Sequence, residues 1–219
     1  MSRVNGFRSI RTIAGVDVSY EGEDGYAALV VLRASDLAVI QEVIVRRRAD
    51  FPYIPTYLAY RELPLIRAAF ERLAEPPTIL LVDGHGTLHP ARCGIACMVG
   101  VTLDVPTIGV AKNPLVGSPD RRPAIGEAVP VRERGDLLGY ALRTGASAKP
   151  LFVSVGHRVA SRSAVRIVRQ LCRTRNPEPL RLADALATNS KRRKKEKGPK
   201  TVQNSLPSPG RERPKAESA

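Results

Sequence analysis

Thr12-Ile13-Ala14-Gly15-Val16-Asp17-Val18-Ser19 is apolar and β-branched apart from Ala14, Gly15 and one acid, Asp17. Such a run reads as a strand. Tyr26 to Leu32 and Leu37 to Val45 are similar runs, separated from it and from each other by turn residues. Three consecutive strands on short links predict an antiparallel meander. A charge inside an apolar strand is costly unless it is paired or meets a cation, which singles out Asp17.

Beyond the meander the pattern changes. Pro64 suits the first turn of a helix, and Leu65, Ile66, Ala69, Phe70 and Leu73 repeat on one face. Thr78 to Val82 is a short strand of the buried type. Pro90 to Leu103 reads as a helix with Ile95, Met98 and Val99 on one face, and Pro106 to Val110 as another strand. Leu138 to Leu142 and Leu151 to Val155 are later strands. Ser161 is placed to cap a last amphipathic helix carrying Val165, Val168 and Cys172. A meander feeding into alternating strands and helices predicts an α/β fold, a mixed sheet flanked by helices. The antiparallel three-strand meander plus parallel strands matches the ribonuclease H-like order.

The chain has 219 residues, enough for one domain with a substantial core, and a net charge of +14. A strong positive balance points first to nucleic acid. Residues 191–219 hold ten Lys/Arg against three Glu, so this tail carries half of the excess. It opens with Lys191-Arg192-Arg193-Lys194-Lys195 and continues rich in Pro, Ser, Gly and Lys. Too little apolar surface is present to offset ordering, so a disordered tail is expected over 188–219, following a ribonuclease H-like domain at 1–187. The tail is either a non-specific phosphate-binding arm or merely solvated. No apolar run is long enough to span a bilayer, and the N-terminus lacks an apolar signal core, so a cytoplasmic location without membrane contact is expected. Three cysteines, Cys93, Cys97 and Cys172, do not make a disulfide framework.

Asp83 directly follows the Thr78–Val82 run, and so lies at a strand's C-terminal end, where mixed sheets gather ligands. Glu62 precedes the Pro64 helix. One acid at a strand end is ordinarily a turn or cap residue. An Asp in the first strand, an Asp ending the next strand after a meander and a helix-borne Glu form a sharper set. Carboxylates that converge repel one another and call for cations, and oxygen-only ligands suit Mg²⁺ or Mn²⁺. Such metals serve phosphodiester hydrolysis.

Asp83-Gly84-His85-Gly86-Thr87-Leu88-His89-Pro90 is a loop whose glycines allow close approach to a flat ligand, or simply a tight strand–helix turn. Lys112 follows Thr107-Ile108-Gly109-Val110-Ala111 and is expected on the same sheet edge as Asp83, able to neutralise phosphate charge. His157 follows the Leu151–Val155 strand and is expected near the acids for the same reason. His85, His89, Cys93 and Cys97 recur every four residues, but Pro90 interrupts any shared helical face and the spacing is not that of a zinc site. Phe51-Pro52-Tyr53-Ile54-Pro55-Thr56-Tyr57 combines stiffening prolines with aromatics. It is an ordinary Pro-bounded loop or a rigid tip able to enter a base stack.

Taken together the motifs resemble the endonuclease V family. The matching stretches are Ala14 to Tyr20, Pro52-Tyr53-Ile54-Pro55, Tyr60-Arg61-Glu62, Val82-Asp83-Gly84, His89-Pro90, Ile108 to Lys112 and Val155 to Arg158, with Pro179 to Asp184 like the family's last motif. The resemblance implies Asp17, Glu62 and Asp83 as ligands of Mg²⁺, with Mn²⁺ able to substitute, and Lys112 and His157 as catalytic auxiliaries. It implies a wedge at Pro52, Tyr53, Ile54 and Pro55, and a pocket for the flipped hypoxanthine near Leu58, Gly84, Gly109 and Ala111. The expected partner is DNA containing deoxyinosine. The expected reaction is cleavage of the second phosphodiester bond 3′ to the lesion, leaving 3′-hydroxyl and 5′-phosphate, by a monomer in DNA repair.

Three positions depart from the family pattern. Thr56-Tyr57 stands where Gly-Leu is usual, beside the expected base pocket. Val155 replaces a common Pro and Met98 a common His. Two alternatives therefore stand beside the main reading. One is a nucleic-acid-binding module that does not cut. The other is a ribonuclease H-like nuclease acting on a mismatch, a flap or inosine-containing RNA.

Overall fold

The computed structural model describes residues 5–145 and 149–196. β1 (Thr12–Glu21), β2 (Asp24–Arg33) and β3 (Val39–Arg48) form the expected antiparallel meander. α1 (Leu58–Phe70) leads to β4 (Ile79–Asp83), α2 (Ile95–Leu103) and β5 (Thr107–Ala111). β6 (Ser118–Pro119), β7 (Ala128–Glu133), β8 (Asp136–Leu142) and β9 (Leu151–His157) follow, and α3 (Ser161–Leu171) and α4 (Glu178–Glu196) close the described chain. The strands make one nine-stranded sheet in the order β3-β2-β1-β4-β5-β9-β8-β7-β6. β4 is parallel to β1 and to β5, and every other pairing is antiparallel. The ribonuclease H-like expectation of a mixed sheet flanked by helices holds.

The pleat sorts the two faces. Ala14, Val16, Leu80 and Val82 point to one side, into a core completed by Leu65, Ile66 and Ala69 of α1 and by Ala96 and Val99 of α2. Ile13, Ile79, Leu81, Ile108 and Val110 point to the other, against Ala164, Ile167 and Val168 of α3 and Leu180 of α4. Gly15 lies on this second side, where a Cβ would run into the carbonyl of Pro179. Its missing side chain lets α4 lie directly on β1.

Several boundaries differ from expectation. α1 starts at Leu58, so Pro64 sits inside the helix and Glu62 is part of it. α2 starts at Ile95, not Pro90, because residues 90–94 fold back to bring the Gly94 N–H to the Gly86 carbonyl at 2.9 Å. Ala160, not Ser161, is the residue before α3, and α3 is not the last helix. α4 runs through the boundary expected at residue 188 and includes the basic cluster's backbone. Lys and Arg are good helix formers, and cations at a helix C-terminus oppose its dipole, so the cluster extends a helix that Leu180, Ala183 and Ala187 anchor by burial. Residues 197–219, the rest of the expected tail, lie outside the described residues. Among the described residues no helix is long and apolar enough to cross a membrane.

Candidate active site

The pleat that buries Ile13, Ile79, Leu81, Ile108 and Val110 on one side carries on to the strand ends. Counting by twos from these residues places Asp17 at the end of that series on β1, Asp83 on β4 and Lys112 just past β5. Val16 pairs with Val82 in parallel register, so Asp17 and Asp83 come next on neighbouring strands. Adjacent strands run about 4.8 Å apart. Lys112 Nζ stands 3.7 Å from Asp83 Oδ2. α4 covers this face, held where the Ser19 hydroxyl donates to the Ala187 carbonyl at 3.1 Å. Asp184, one turn before Ala187, joins Asp83 and Lys112 in lining a small crevice at the same place. Glu62 reaches the group from α1 and is only 7 % exposed.

The carboxylates feel one another. Burial, then repulsion from Asp83 and Asp184, pushes Asp17 up to about 7. Burial, then repulsion from Asp17 and Asp83, pushes Glu62 up to about 8. Burial raises Asp83 as well, with Lys112 opposing the rise and Asp184 adding to it. Three largely buried acids, with exposed Asp184 beside them, face one lysine and leave negative charge uncompensated in a partly dehydrated place. Their donors are all oxygen, the set a hard divalent cation takes. Among the described residues, no three His, Cys, Asp or Glu side chains are placed so as to hold one ion, so the fit lies in donor chemistry and charge and not in a coordination geometry. The same holds for the His85, His89, Cys93 and Cys97 series. Cys97 is buried with its thiol toward the Val155 carbonyl, and His85 and His89 are bonded to the Asn113 and Thr56 carbonyls.

A cavity of about 370 Å³ opens beside the acids, with Asp83 and Lys112 in its wall. Leu58, Gly84 and Ala111 line it, together with Tyr53, Pro55, Thr56 and Ile95. Gly109 does not. It lies beneath the 84–86 loop, where a Cβ would meet Gly86 N at 2.6 Å and Gly84 O at 2.7 Å. Its role is to let the loop sit close to β5. The loop is tied down by Gly86 N–H to Ser154 Oγ at 2.8 Å. His85 Nε2 and the Asn113 carbonyl are 2.8 Å apart, which joins the two loops of the rim. Tyr53, at 70 % exposure, is the most exposed of the large apolar side chains on the 51–57 segment.

His157 is not in this group. β9 runs antiparallel to β5, with Ala111 opposite Phe152 and Thr107 opposite His157. The strand enters at the acidic edge and leaves at the far one. There His157 Nε2 lies 3.9 Å from Asp104 Oδ1 at the end of α2. The expectation that every strand end faces the acids failed on strand direction. Asp184 was the residue left out of the site. Its signal is present in Leu180, Ala183, Asp184 and Ala187, an i, i+3, i+4, i+7 stripe whose three apolar members are buried and whose acid stays exposed beside them.

A sequence model of the Endonuclease V family matches residues 2–185. This chain belongs to the Endonuclease V family. Membership makes it a nuclease, a phosphodiester hydrolase. It is 46 % identical over 184 residues to an Endonuclease V of Roseiflexus sp. (strain RS-1), covering 83 % of each chain. The crystal structure of Endonuclease V from Streptomyces avermitilis superposes with a TM-score of 0.83 at 38 % identity, over 89 % of this chain and 87 % of that one. Endonuclease V of Ciona intestinalis, solved with a 24mer DNA containing an inosine followed by a ribo-adenosine, gives 0.79 at 28 % identity, over 87 % and 91 %. The sheet, the start of α4 and the acidic edge fall inside the matched span, whereas α4 beyond residue 185 lies outside it.

Proposed function

We propose that this family member recognises a deaminated base, hypoxanthine in deoxyinosine, and hydrolyses the second phosphodiester bond 3′ to it. The products are 3′-hydroxyl and 5′-phosphate ends, made by a monomer that needs Mg²⁺. One observation carries the reading. The acidic edge and a cavity within the size range of small-molecule sites share a wall made by Asp83 and Lys112. A base seated in that cavity leaves its own backbone beside the acids. The inosine-containing DNA held by the Ciona protein supports the same substrate class here.

Each group then has a task. Pro52 and Pro55 stiffen the 51–57 segment, and Tyr53 at its exposed tip takes the space of a base drawn out of the stack. Leu58, Gly84 and Ala111 offer flat, uncharged walls to that base. Asp17, Glu62 and Asp83, with Asp184 facing them, would hold the cation. When bound, Mg²⁺ supplies charge at the phosphate and activation of water. Lys112 places a second positive charge 3.7 Å from Asp83, where it neutralises a phosphate oxygen as charge builds up.

The test is nicking of an end-labelled duplex with one deoxyinosine, in Mg²⁺ and in chelator, beside an undamaged duplex and an inosine-containing RNA. A single Mg²⁺-dependent cut one nucleotide beyond the lesion is expected. Equal cutting of the undamaged duplex, or cutting of the RNA alone, would overturn the DNA-lesion reading.

A further inference from the structure

The 51–60 segment has two flanks, and only one faces the cavity. Tyr53, Pro55, Thr56, Leu58 and Ala59 line the cavity, whereas Phe51, Tyr57 and Tyr60 do not. These three rings form a row of their own. Phe51 and Tyr60 have centroids 5.6 Å apart with planes tilted by 32°, and Tyr60 and Tyr57 have centroids 5.9 Å apart with planes tilted by 30°. Both spacings are those of offset aromatic pairs. Tyr57 and Tyr60 remain 52 % and 53 % exposed. The row is fixed at its inner end, because the Arg61 guanidinium donates to the Phe51 carbonyl while lying over the Tyr20 ring, 4.4 Å from its centroid. Its outer member, Tyr57, directly precedes α1.

We propose that the Phe51–Tyr60–Tyr57 row is a second base-binding site, which stacks an unpaired nucleobase on Tyr57. Its occupant is the base left without a partner when the cavity takes the other, so in a duplex it is the base opposite the lesion. This deepens the proposed function and rests on it for the duplex case. The argument is spatial. A segment that separates two paired bases needs a resting surface on each flank, and here one flank has a cavity and the other an exposed, held row of π-faces. Stacking on an aromatic ring is indifferent to base identity, which suits a position whose base is not the lesion. The row also gives the exposed rings of Tyr57 and Tyr60 a use that packing does not, since each keeps about half its surface open.

The experiment uses the whole chain, with Ca²⁺ in place of Mg²⁺ to separate binding from cutting. One probe is a deoxyinosine duplex with 2-aminopurine opposite the lesion, and the other an undamaged single strand containing 2-aminopurine. The expected result is fluorescence quenching on binding both probes, retained in Tyr57→Phe and lost in Tyr57→Ala and Tyr57→Leu. Affinity should fall by about 5- to 100-fold in the last two with the salt slope unchanged, because stacking moves no counterion. Tyr57→Leu keeps an apolar neighbour for Tyr60, and unchanged circular dichroism separates lost stacking from lost folding. If quenching and affinity are the same in Tyr57→Leu as in the parent on both probes, the row is not a base site. If the parent fails to nick the deoxyinosine duplex in Mg²⁺ yet quenches the single strand through Tyr57, the lesion reading falls and the row stands.

Discussion

His89 Nε2 donates to the carbonyl of Thr56 at 3.0 Å, tying the 51–57 segment to the loop after β4. The tautomer follows from the other ring nitrogen, since the Ala91 N–H points at His89 Nδ1 from 3.2 Å and makes it the acceptor. Thr56 makes this bond from φ +70°, a left-handed conformation that is unfavourable for a β-branched residue. Thr56→Gly should therefore stabilise the protein. Relief of about 1–2 kcal/mol of backbone strain outweighs the roughly 0.5–1 kcal/mol that glycine loses in chain entropy. A thermal melt should rise by about 2–4 °C for each kcal/mol gained. An unchanged or lower midpoint would mean that the Thr56 side chain makes up for its own strain.

Asp184 and His157 make opposite predictions. Asp184 lines the crevice with Asp83 and Lys112, so Asp184→Ala should slow nicking by on the order of 10²-fold. His157 lies at the far edge of the sheet, so His157→Gln should leave the single-turnover rate within about threefold. Rates measured side by side on the deoxyinosine duplex decide both, and a reversed order would place the reacting centre elsewhere.

The acidic edge should make stability fall with pH when no cation is present. Asp17 is raised to about 7 and Glu62 to about 8 in the folded protein, from 3.8 and 4.5. Between the two ranges the folded chain retains protons that the unfolded chain has released, so stability declines as pH rises from about 4 toward 8. Melts in chelator should show this decline, and millimolar Mg²⁺ should flatten it by neutralising the same charge. Asp17→Asn should also weaken the slope. A chelated protein most stable at pH 8 would refute the shared origin of these shifts.

The basic end of α4 should act on binding rather than on cutting. Lys191 and Arg192 are solvent-accessible, and Lys191 lies seven residues beyond Asp184, about 10 Å along the helix. Lys191→Glu with Arg192→Glu should weaken DNA binding and flatten its salt slope by about 1 to 2, the loss of one or two phosphate contacts. A titration against salt measures it, and an unchanged slope would leave the helix end without a role in DNA contact.

The sheet was readable because its signals are local. The run Thr12–Ser19, the meander and the short Thr78–Val82 strand each declare themselves by residue type, and Asp17 and Asp83 stand out as charges in apolar company. Glu62 and Lys112 followed from position beside those elements. What failed depended on direction and distance. Nothing within Leu151–Val155 says that β9 reverses against β5, and that reversal alone removes His157 from the site. Gly109 was assigned to the pocket by the family resemblance, whereas the structure uses its lack of a side chain to seat the neighbouring loop. α4 was hidden because composition dominated the reading. Five successive cations look like solvated chain until Leu180, Ala183 and Ala187 are seen docked on β1 and β2.

The bond between Ser19 and Ala187 joins residues 168 positions apart. During synthesis the meander, α1 and β4, which carry Asp17, Glu62 and Asp83, are made well before α4. The last acid arrives only when α4 emerges and docks against Gly15. Long-range closures of this kind come late and slowly. The acidic edge is thus completed by the last element of the described chain, and a chain that stops before α4 carries Asp17, Glu62 and Asp83 without the fourth acid.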